Sequence, residues 1–130
     1  MSCAQCEGIE AKFDERTIRK KLRRYRHRGP DRTTRMLIDD LRRALDDAGA
    51  SGVTLLDIGA GIGAIHHDLL TDRVARAVHV DASSASLRLA REETARRGHA
   101  ERVEFVPGDF VAMAGAVHAA DVVTLDRVIC

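Results

Sequence analysis

A glycine-rich segment in the middle of the chain constrains its fold more than any other feature. The segment Asp57-Ile-Gly59-Ala-Gly61-Ile-Gly63-Ala64 begins at the end of a short apolar run, Val53–Ile58, and opens a stretch with apolar residues at helical spacing. Glycines at these places let the backbone turn sharply and approach a ligand closely. A strand, a glycine loop and a helix in this order predict a ligand-binding α/β unit.

The sequence around this loop predicts that strands alternate with helices. Further apolar runs predict strands at residues 77–80, 102–106 and 121–126. Helical periodicity predicts helices at residues 62–70 and 83–97, the second with Ser83 as its cap. This alternation, with strands that are apolar on both faces, predicts a parallel sheet covered by helices on both sides.

Two helices are predicted before the sheet. The first covers residues 14–28 and carries a narrow apolar stripe of Ile18, Leu22 and Tyr25, and Asp31 caps the second, which Gly49 ends. Ten basic residues and one acid lie between Arg16 and Arg35, although the net charge of the whole chain is only +1. The sequence therefore predicts a basic arm, 16–35, attached to an acidic body.

Two kinds of ligand compete for the glycine loop. Residues 59–64 also fit the dinucleotide pattern G-x-G-x-x-A, in which a helix N-terminus receives a pyrophosphate. Asp57, two residues before the first glycine, would repel that anion. It could instead attract the ammonium group of S-adenosylmethionine, directly or through water. Charge therefore favours S-adenosylmethionine over NAD(P).

With Asp57, Gly59, Gly61 and Gly63, the loop resembles the first motif of class I S-adenosylmethionine-dependent methyltransferases. Three later positions agree with that family in order and spacing. Asp81 ends the second strand, where the resemblance implies an acid that binds the ribose hydroxyls. Asp109 follows the third strand, where it implies recognition of the adenine amino group. Residues 121–126 resemble the fourth-strand motif, whose end borders the methyl-transfer site.

The resemblance implies a set of cofactor-binding residues and leaves the catalytic residues open. The implied set is Asp57, Gly59, Gly61, Gly63, Asp81, Ala82, Asp109 and Asp126. Ala82 departs from many relatives, which have a larger apolar residue against the adenine. Each acid could also simply begin a turn, because aspartate favours turns. Their joint placement at strand ends favours a site, because ligands of open α/β sheets bind there.

The family resemblance also implies the fold, a Rossmann-like sheet whose first four strands have the order 3-2-1-4. Residues 1–50 would form an N-terminal helical segment, and residues 51–130 the S-adenosylmethionine-binding half of the domain. The second half of the usual seven-stranded sheet is absent from the sequence. We therefore expect the fourth strand to form an apolar edge of the sheet. We also expect that the chain is a fragment, or that another chain completes it, and that residues 1–130 alone do not catalyse methyl transfer.

The predicted function is methyl transfer to a small molecule, by in-line displacement at the sulfonium. Residues 125–129 resemble the corresponding stretch of some small-molecule methyltransferases, including magnesium-protoporphyrin methyltransferases. The alternatives are an RNA-directed or non-catalytic binding module that uses residues 19–28, and an NAD(P)-dependent oxidoreductase. Aromatic residues make up only 3% of the chain, so stacking platforms for single-stranded nucleic acid are scarce.

Several residues have weaker functional patterns. Cys3 and Cys6 have the spacing of half a zinc site, but no second half is visible, so no metal is predicted. Cys130 has no assignable general base. We predict that His66 and His67 lie on a partly exposed helix face. The chain has no apolar run long enough to span a membrane and no apolar signal core in residues 1–13, which predicts a cytoplasmic protein.

Overall fold

A computed structural model describes residues 8–71 and 73–128 of the chain. Its helices are α1 (Ile9–Lys12), α2 (Glu15–Arg28), α3 (Arg32–Asp47), α4 (Ala64–Leu69), α5 (Ser84–Arg96) and α6 (Phe110–Met113). Its strands are β1 (Val53–Ile58), β2 (Val74–Asp81), β3 (Val103–Pro107) and β4 (Val122–Leu125).

The four strands form one parallel sheet in the order β3-β2-β1-β4, which confirms the predicted fold class. In register, Ile58 of β1 lies beside Val80 of β2 and Leu125 of β4. The carboxyl ends of the strands therefore meet at one edge of the sheet. Among the described residues no strand covers the outer side of β4, where the side chains of Val123 and Leu125 are 49% and 57% exposed.

Local sequence signals define where the N-terminal helices begin. Asp14 and Asp31 each have extended backbone, and their carboxylates accept hydrogen bonds from the third backbone N–H that follows. Such caps satisfy donors that a helix end leaves unpaired. The predicted stripe of α2, Ile18, Leu22 and Tyr25, is buried and packs with Leu89 of α5. The arm thus begins with a helix that packs on α5.

A second core lies between α3, α4 and the sheet. It contains Ile38 and Leu45 of α3, Leu55 of β1 and Leu69 of α4, with Leu37 and Leu41 packed at its border. The second helix therefore presents an apolar face to the sheet. Burial of such side chains contributes about 1.5–3 kcal/mol each, which fixes α3 beside the sheet.

The predicted element bounds differ from the structure mainly at chain reversals. The second strand is longer than predicted, because Val74 to Arg76 also pair with β1. Arg102 belongs to a 3-10 turn instead of the third strand, and the short helices α1 and α6 were not predicted. Helices of four residues are too short to show a hydrophobic period, so pattern analysis does not detect them.

Candidate functional site

The carboxyl edge of the sheet gathers the predicted acids. β1 leads into the glycine loop, β2 ends at Asp81, β3 is followed by Gly108 and Asp109, and β4 is followed by Asp126. Ligands of open α/β sheets bind at this edge, beyond the carboxyl ends of the strands. The chain thus brings these acids to the edge where the fold places ligands.

The glycine loop is held against the end of β2. The N–H groups of Gly59 and Ala60 donate to the carbonyl of Val80 at 2.8 and 3.2 Å. Gly59, Gly61 and Gly63 have φ values of 64°, 58° and 82°, a left-handed conformation that side chains other than glycine rarely adopt. The loop therefore requires glycine at all three positions.

Asp81 connects the loop to the start of α5. One carboxylate oxygen accepts a hydrogen bond from Gly61 N at 2.8 Å, and the other accepts from Ser83 N at 2.8 Å. Burial raises the pKa of Asp81, and the two backbone donors oppose that rise. Each oxygen has a further lone pair, so the carboxylate can still accept hydrogen bonds from a ligand hydroxyl.

Asp57 lies deep under the loop with only 1% of its surface exposed. One carboxylate oxygen accepts a hydrogen bond from the Thr124 hydroxyl at 2.9 Å. The other has no hydrogen-bond partner among the residues that the structure describes. Burial raises the pKa of Asp57 to about 7; the Thr124 hydrogen bond opposes this, and the nearby charges of Asp126 and Asp81 add to it.

Asp126 is the second acid on this side of the loop. Its Oδ2 accepts a hydrogen bond from the Thr34 hydroxyl at 2.5 Å, and its Oδ1 lies 3.3 Å from Nε of Arg127. Two residues later, Val128 lies directly on Gly59: a Cβ added to that glycine would be 2.5 Å from Val128 Cγ2. The segment after β4 therefore forms one wall of the glycine loop.

Asp109 and Ala82 border the site on the β3 side. The Asp109 carboxylate caps α6 by accepting a hydrogen bond from Val111 N at 3.0 Å. Gly108 N donates to the carbonyl of Asp81, so the turn after β3 is fastened to the end of β2. Ala82 is partly buried between Asp81 and Ser83.

The chain matches a known protein family over most of this region. The family model described as "Methyltransferase domain" matches residues 55–130, more than half of the chain. The chain belongs to this family. It has the fold of class I S-adenosylmethionine-dependent methyltransferases, as the sequence resemblance predicted.

Solved structures with the same fold are distant in sequence. One, from Methanococcus maripaludis, is assigned as an S-adenosyl-L-methionine-dependent methyltransferase; it has 20% identity and a TM-score of 0.60, over 75% of this chain and 42% of that chain. Another, from Pyrococcus horikoshii, is assigned as an RNA methyltransferase. It has 18% identity and a TM-score of 0.58, over 74% of this chain and 45% of that chain. The precorrin-8w decarboxylase of Methanobacterium thermoautotrophicum has 20% identity and a TM-score of 0.51 over 57% and 39%.

The chain spans less than half the length of these solved structures. No curated protein matches its sequence at a significant level.

The residues at the carboxyl edge fit the cofactor of the family. The unpartnered oxygen of buried Asp57 is an acceptor that suits an ammonium group. The backbone at Gly61 is open, because a Cβ added there would meet no atom within 4 Å. Together these two observations describe a site with a buried carboxyl group beside an accessible stretch of backbone.

The N-terminal segment also contributes to this edge, which sequence reasoning missed. Ser83 Oγ donates to the carbonyl of Phe13 at 3.0 Å, and the Glu10 carboxylate accepts hydrogen bonds from N and Oγ of Ser84. These contacts join residues about 70 positions apart in the chain. Spacing within the sequence carries no signal for them, because they arise from tertiary packing.

The prediction for His66 and His67 was wrong. Both side chains are buried, and His66 shares a hydrogen bond with buried His79 at 3.0 Å between Nε2 and Nδ1. His67 Nε2 lies 2.9 Å from the carbonyl of Ile62, and the ring of Phe105 packs against His79. The short helix α4 is covered on two faces, so histidines that point about 100° apart are both enclosed.

A cluster around Glu93 fastens the basic arm to α5. The Glu93 side chain is fully buried and accepts hydrogen bonds from Arg26, Arg96 and Arg97. Burial alone would raise the pKa of Glu93, but the hydrogen bonds from these arginines lower it to about 2. Tyr25 OH adds a hydrogen bond to Asp68 at 2.5 Å. Part of the basic arm is thus engaged within the domain.

Two further sequence predictions concern metal and membrane. Within residues 8–71 and 73–128, no three histidine, cysteine, aspartate or glutamate side chains are grouped to hold a metal ion. None of the helices in that part of the chain has the length and apolar character needed to cross a membrane. Cys3, Cys6 and Cys130 lie outside the described residues.

Proposed function

We propose that the protein is an S-adenosylmethionine-dependent methyltransferase that acts on a small molecule. The observation that carries the proposal is the convergence of the glycine loop, Asp57, Asp81 and Asp126 at one sheet edge. The small-molecule acceptor is supported by the scarcity of aromatic residues and by the use of the α2 apolar stripe for internal packing. The cytoplasmic location stays a prediction.

The roles that we propose for the acids follow their surroundings. Asp57 and Asp126 present negative charge beside the glycine loop, which suits an ammonium group. Asp81 lies at the end of β2 with free acceptor capacity, which suits ribose hydroxyls. Asp109, beyond β3, would border the adenine, with Ala82 beside it. Glycines 59, 61 and 63 would allow the close approach of the ligand to the backbone.

The bound cofactor supplies an activated methyl group on a sulfonium, so the protein mainly has to hold donor and acceptor in line. A general base is needed only where the acceptor must lose a proton early. We propose that residues 1–50 help to enclose the acceptor, because Phe13, Glu10 and Thr34 all contact the ends of strands or the start of α5.

Calorimetric titration with S-adenosylhomocysteine tests the cofactor site. We expect Asp81→Ala to weaken binding by about 1–3 kcal/mol, the cost of losing charge-assisted hydrogen bonds. The matched control is Asp47→Ala, an exposed aspartate at the end of α3, which should bind like the wild type. Unchanged affinity in a folded Asp81→Ala variant would remove this residue from the site.

The same titration separates the alternative functions. NAD in place of S-adenosylhomocysteine tests the oxidoreductase hypothesis. The buried carboxyl group of Asp57 opposes this hypothesis, because its ionised form would repel a pyrophosphate. An RNA oligomer tests the binding-module reading, which the exposed Arg16, Lys20, Arg23 and Arg24 of α2 favour. Tight, salt-sensitive RNA binding that is lost on neutralising Arg23 and Arg24 would replace the small-molecule proposal.

A further inference from the structure

Thr34 connects the N-terminal helices to the end of β4. It lies in the first turn of α3 and is buried, with 4% of its surface exposed. Its hydroxyl is 2.5 Å from Oδ2 of Asp126, a residue 92 positions away in the chain. A buried hydroxyl in this place joins an element outside the sheet to an acid at the sheet's functional edge.

The direction of the hydrogen bonds around Thr34 is determined by Arg127. Nη2 of Arg127 lies 3.0 Å from Thr34 Oγ1, and a guanidinium group can only donate. The Thr34 oxygen therefore accepts from Arg127, and its single hydrogen is free to point at the Asp126 carboxylate. Nη1 of Arg127 also forms an ion pair with Asp31, the cap of α3, at 2.8 Å.

This network holds the segment that lies against the glycine loop. Arg127 has φ of 57°, a conformation that few residues other than glycine adopt, so the chain turns sharply just after Asp126. Val128, one residue further, contacts Gly59. Rotation of the Asp126 carboxylate would break its hydrogen bond to Thr34. Thr34 and Arg127 thus restrict Asp126 to one orientation.

We propose that Thr34 is a positioning residue that fixes the Asp126 carboxylate on the side of the cofactor site that receives the methionine part of the ligand. The inference rests on the proposed function and extends it to the N-terminal helices. It predicts that the hydroxyl of Thr34 matters for ligands with an amino-acid part, and much less for ligands without one.

The test compares two ligands by calorimetric titration of the 130-residue protein. S-adenosylhomocysteine carries the amino-acid part, and 5′-methylthioadenosine lacks it. Thr34→Val removes the hydroxyl at nearly constant shape. We expect it to weaken binding of S-adenosylhomocysteine about tenfold, the size of one charge-assisted hydrogen bond, and that of 5′-methylthioadenosine less than about twofold.

Two variants serve as controls. Thr34→Ser restores the hydroxyl and should bring the affinity for S-adenosylhomocysteine back to within about threefold of the wild type. Thr33→Val makes the same change at the exposed neighbouring threonine and should leave both affinities unchanged. Circular dichroism and thermal melting establish that each variant is folded.

The possible outcomes distinguish this inference from the function on which it rests. Equal weakening of both ligands by Thr34→Val would indicate a general structural role and would overturn the positioning role. Wild-type affinity of Thr34→Val for both ligands would overturn it as well. A wild-type protein that binds neither ligand would instead contradict the proposed function, and the inference with it.

Discussion

Acid should destabilise this fold through its buried histidines. His66 and His67 lie on α4 and His79 lies on β2, and burial is the largest cause that lowers the pKa of each. The nearby charge of Arg97 lowers the pKa of His67 further, to about 4, whereas Glu93 opposes that shift. His67 and Arg91 contribute to the pKa of His79, which is lowered to about 3.

The sign of the effect follows from the protons that each state binds. Below pH 6.5, the ordinary pKa of histidine, the unfolded chain becomes protonated at these positions while the folded protein does not. The free energy of unfolding therefore falls as the pH falls. Between pH 6.5 and 5, His67 and His79 each lower the free energy of unfolding by about 2 kcal/mol, at about 1.4 kcal/mol per pH unit. His66 acts in the same direction.

Asp57 opposes the histidines over the same interval. Its pKa of about 7 lies above the ordinary value of 3.8, so the folded protein takes up a proton that the unfolded chain does not. This stabilises the fold by about 2 kcal/mol between pH 6.5 and 5. Asp57 therefore offsets the contribution of about one histidine, and Asp81, whose pKa burial also raises, acts in the same direction as Asp57. We expect the wild type to lose about 2 kcal/mol of its free energy of unfolding.

Urea unfolding, followed by circular dichroism at pH 6.5 and pH 5, measures this loss. His79→Leu removes one buried imidazole, so its loss between the two pH values should be smaller than that of the wild type by about 2 kcal/mol. His118→Asn replaces an exposed histidine and should keep the wild-type pH dependence. If His79→Leu and the wild type lose the same free energy, His79 is not buried in the neutral form, and the reasoning fails.

Two further substitutions test the packing around the site by urea unfolding at pH 7. Gly63→Ala should lower the free energy of unfolding by about 2–4 kcal/mol, because φ is 82° and a Cβ would collide with His66. In the control Gly49→Ala, φ is also positive but the space is open, so the free energy of unfolding should fall by only about 1–2 kcal/mol. Equal losses in the two variants would contradict the collision. Glu93→Gln should lower the free energy of unfolding by about 2 kcal/mol, because its hydrogen bonds to Arg26, Arg96 and Arg97 become weaker. Glu92→Gln makes the same change at the exposed neighbour and should alter the free energy of unfolding by less than about 0.5 kcal/mol.

The features that sequence analysis predicted correctly are those with a local cause. Asp31 and Ser83 cap helices because a short polar side chain at a helix start reaches the backbone donors that follow. The strand order was predicted through the family resemblance, which rests on the glycine loop and the acids at strand ends. Those acids do gather at one sheet edge, and their individual roles in binding stay predictions.

The features that it missed depend on distant parts of the chain. His66 packs against His79 and Phe105, which lie on two different strands, and His67 stacks against Tyr25 of α2. Thr34 and Asp126 meet across 92 positions, and Glu93 collects arginines from α2 and α5. Patterns of three or four residues describe one face of one element, so they contain no information about which side chain from elsewhere will cover it.

The hydrogen bonds that join the N-terminal segment to the carboxyl edge have a consequence for building chimeric enzymes. Phe13 is hydrogen-bonded to Ser83 beyond β2, and Thr34 is hydrogen-bonded to Asp126 beyond β4. One continuous N-terminal segment is therefore bound to this edge of the sheet at two places. A foreign segment grafted in front of Gly52 would have to supply a backbone acceptor and a hydroxyl at matching positions. Exchange of N-terminal segments between related domains should therefore succeed only when the hydrogen-bonding partners of the segment are transferred with it.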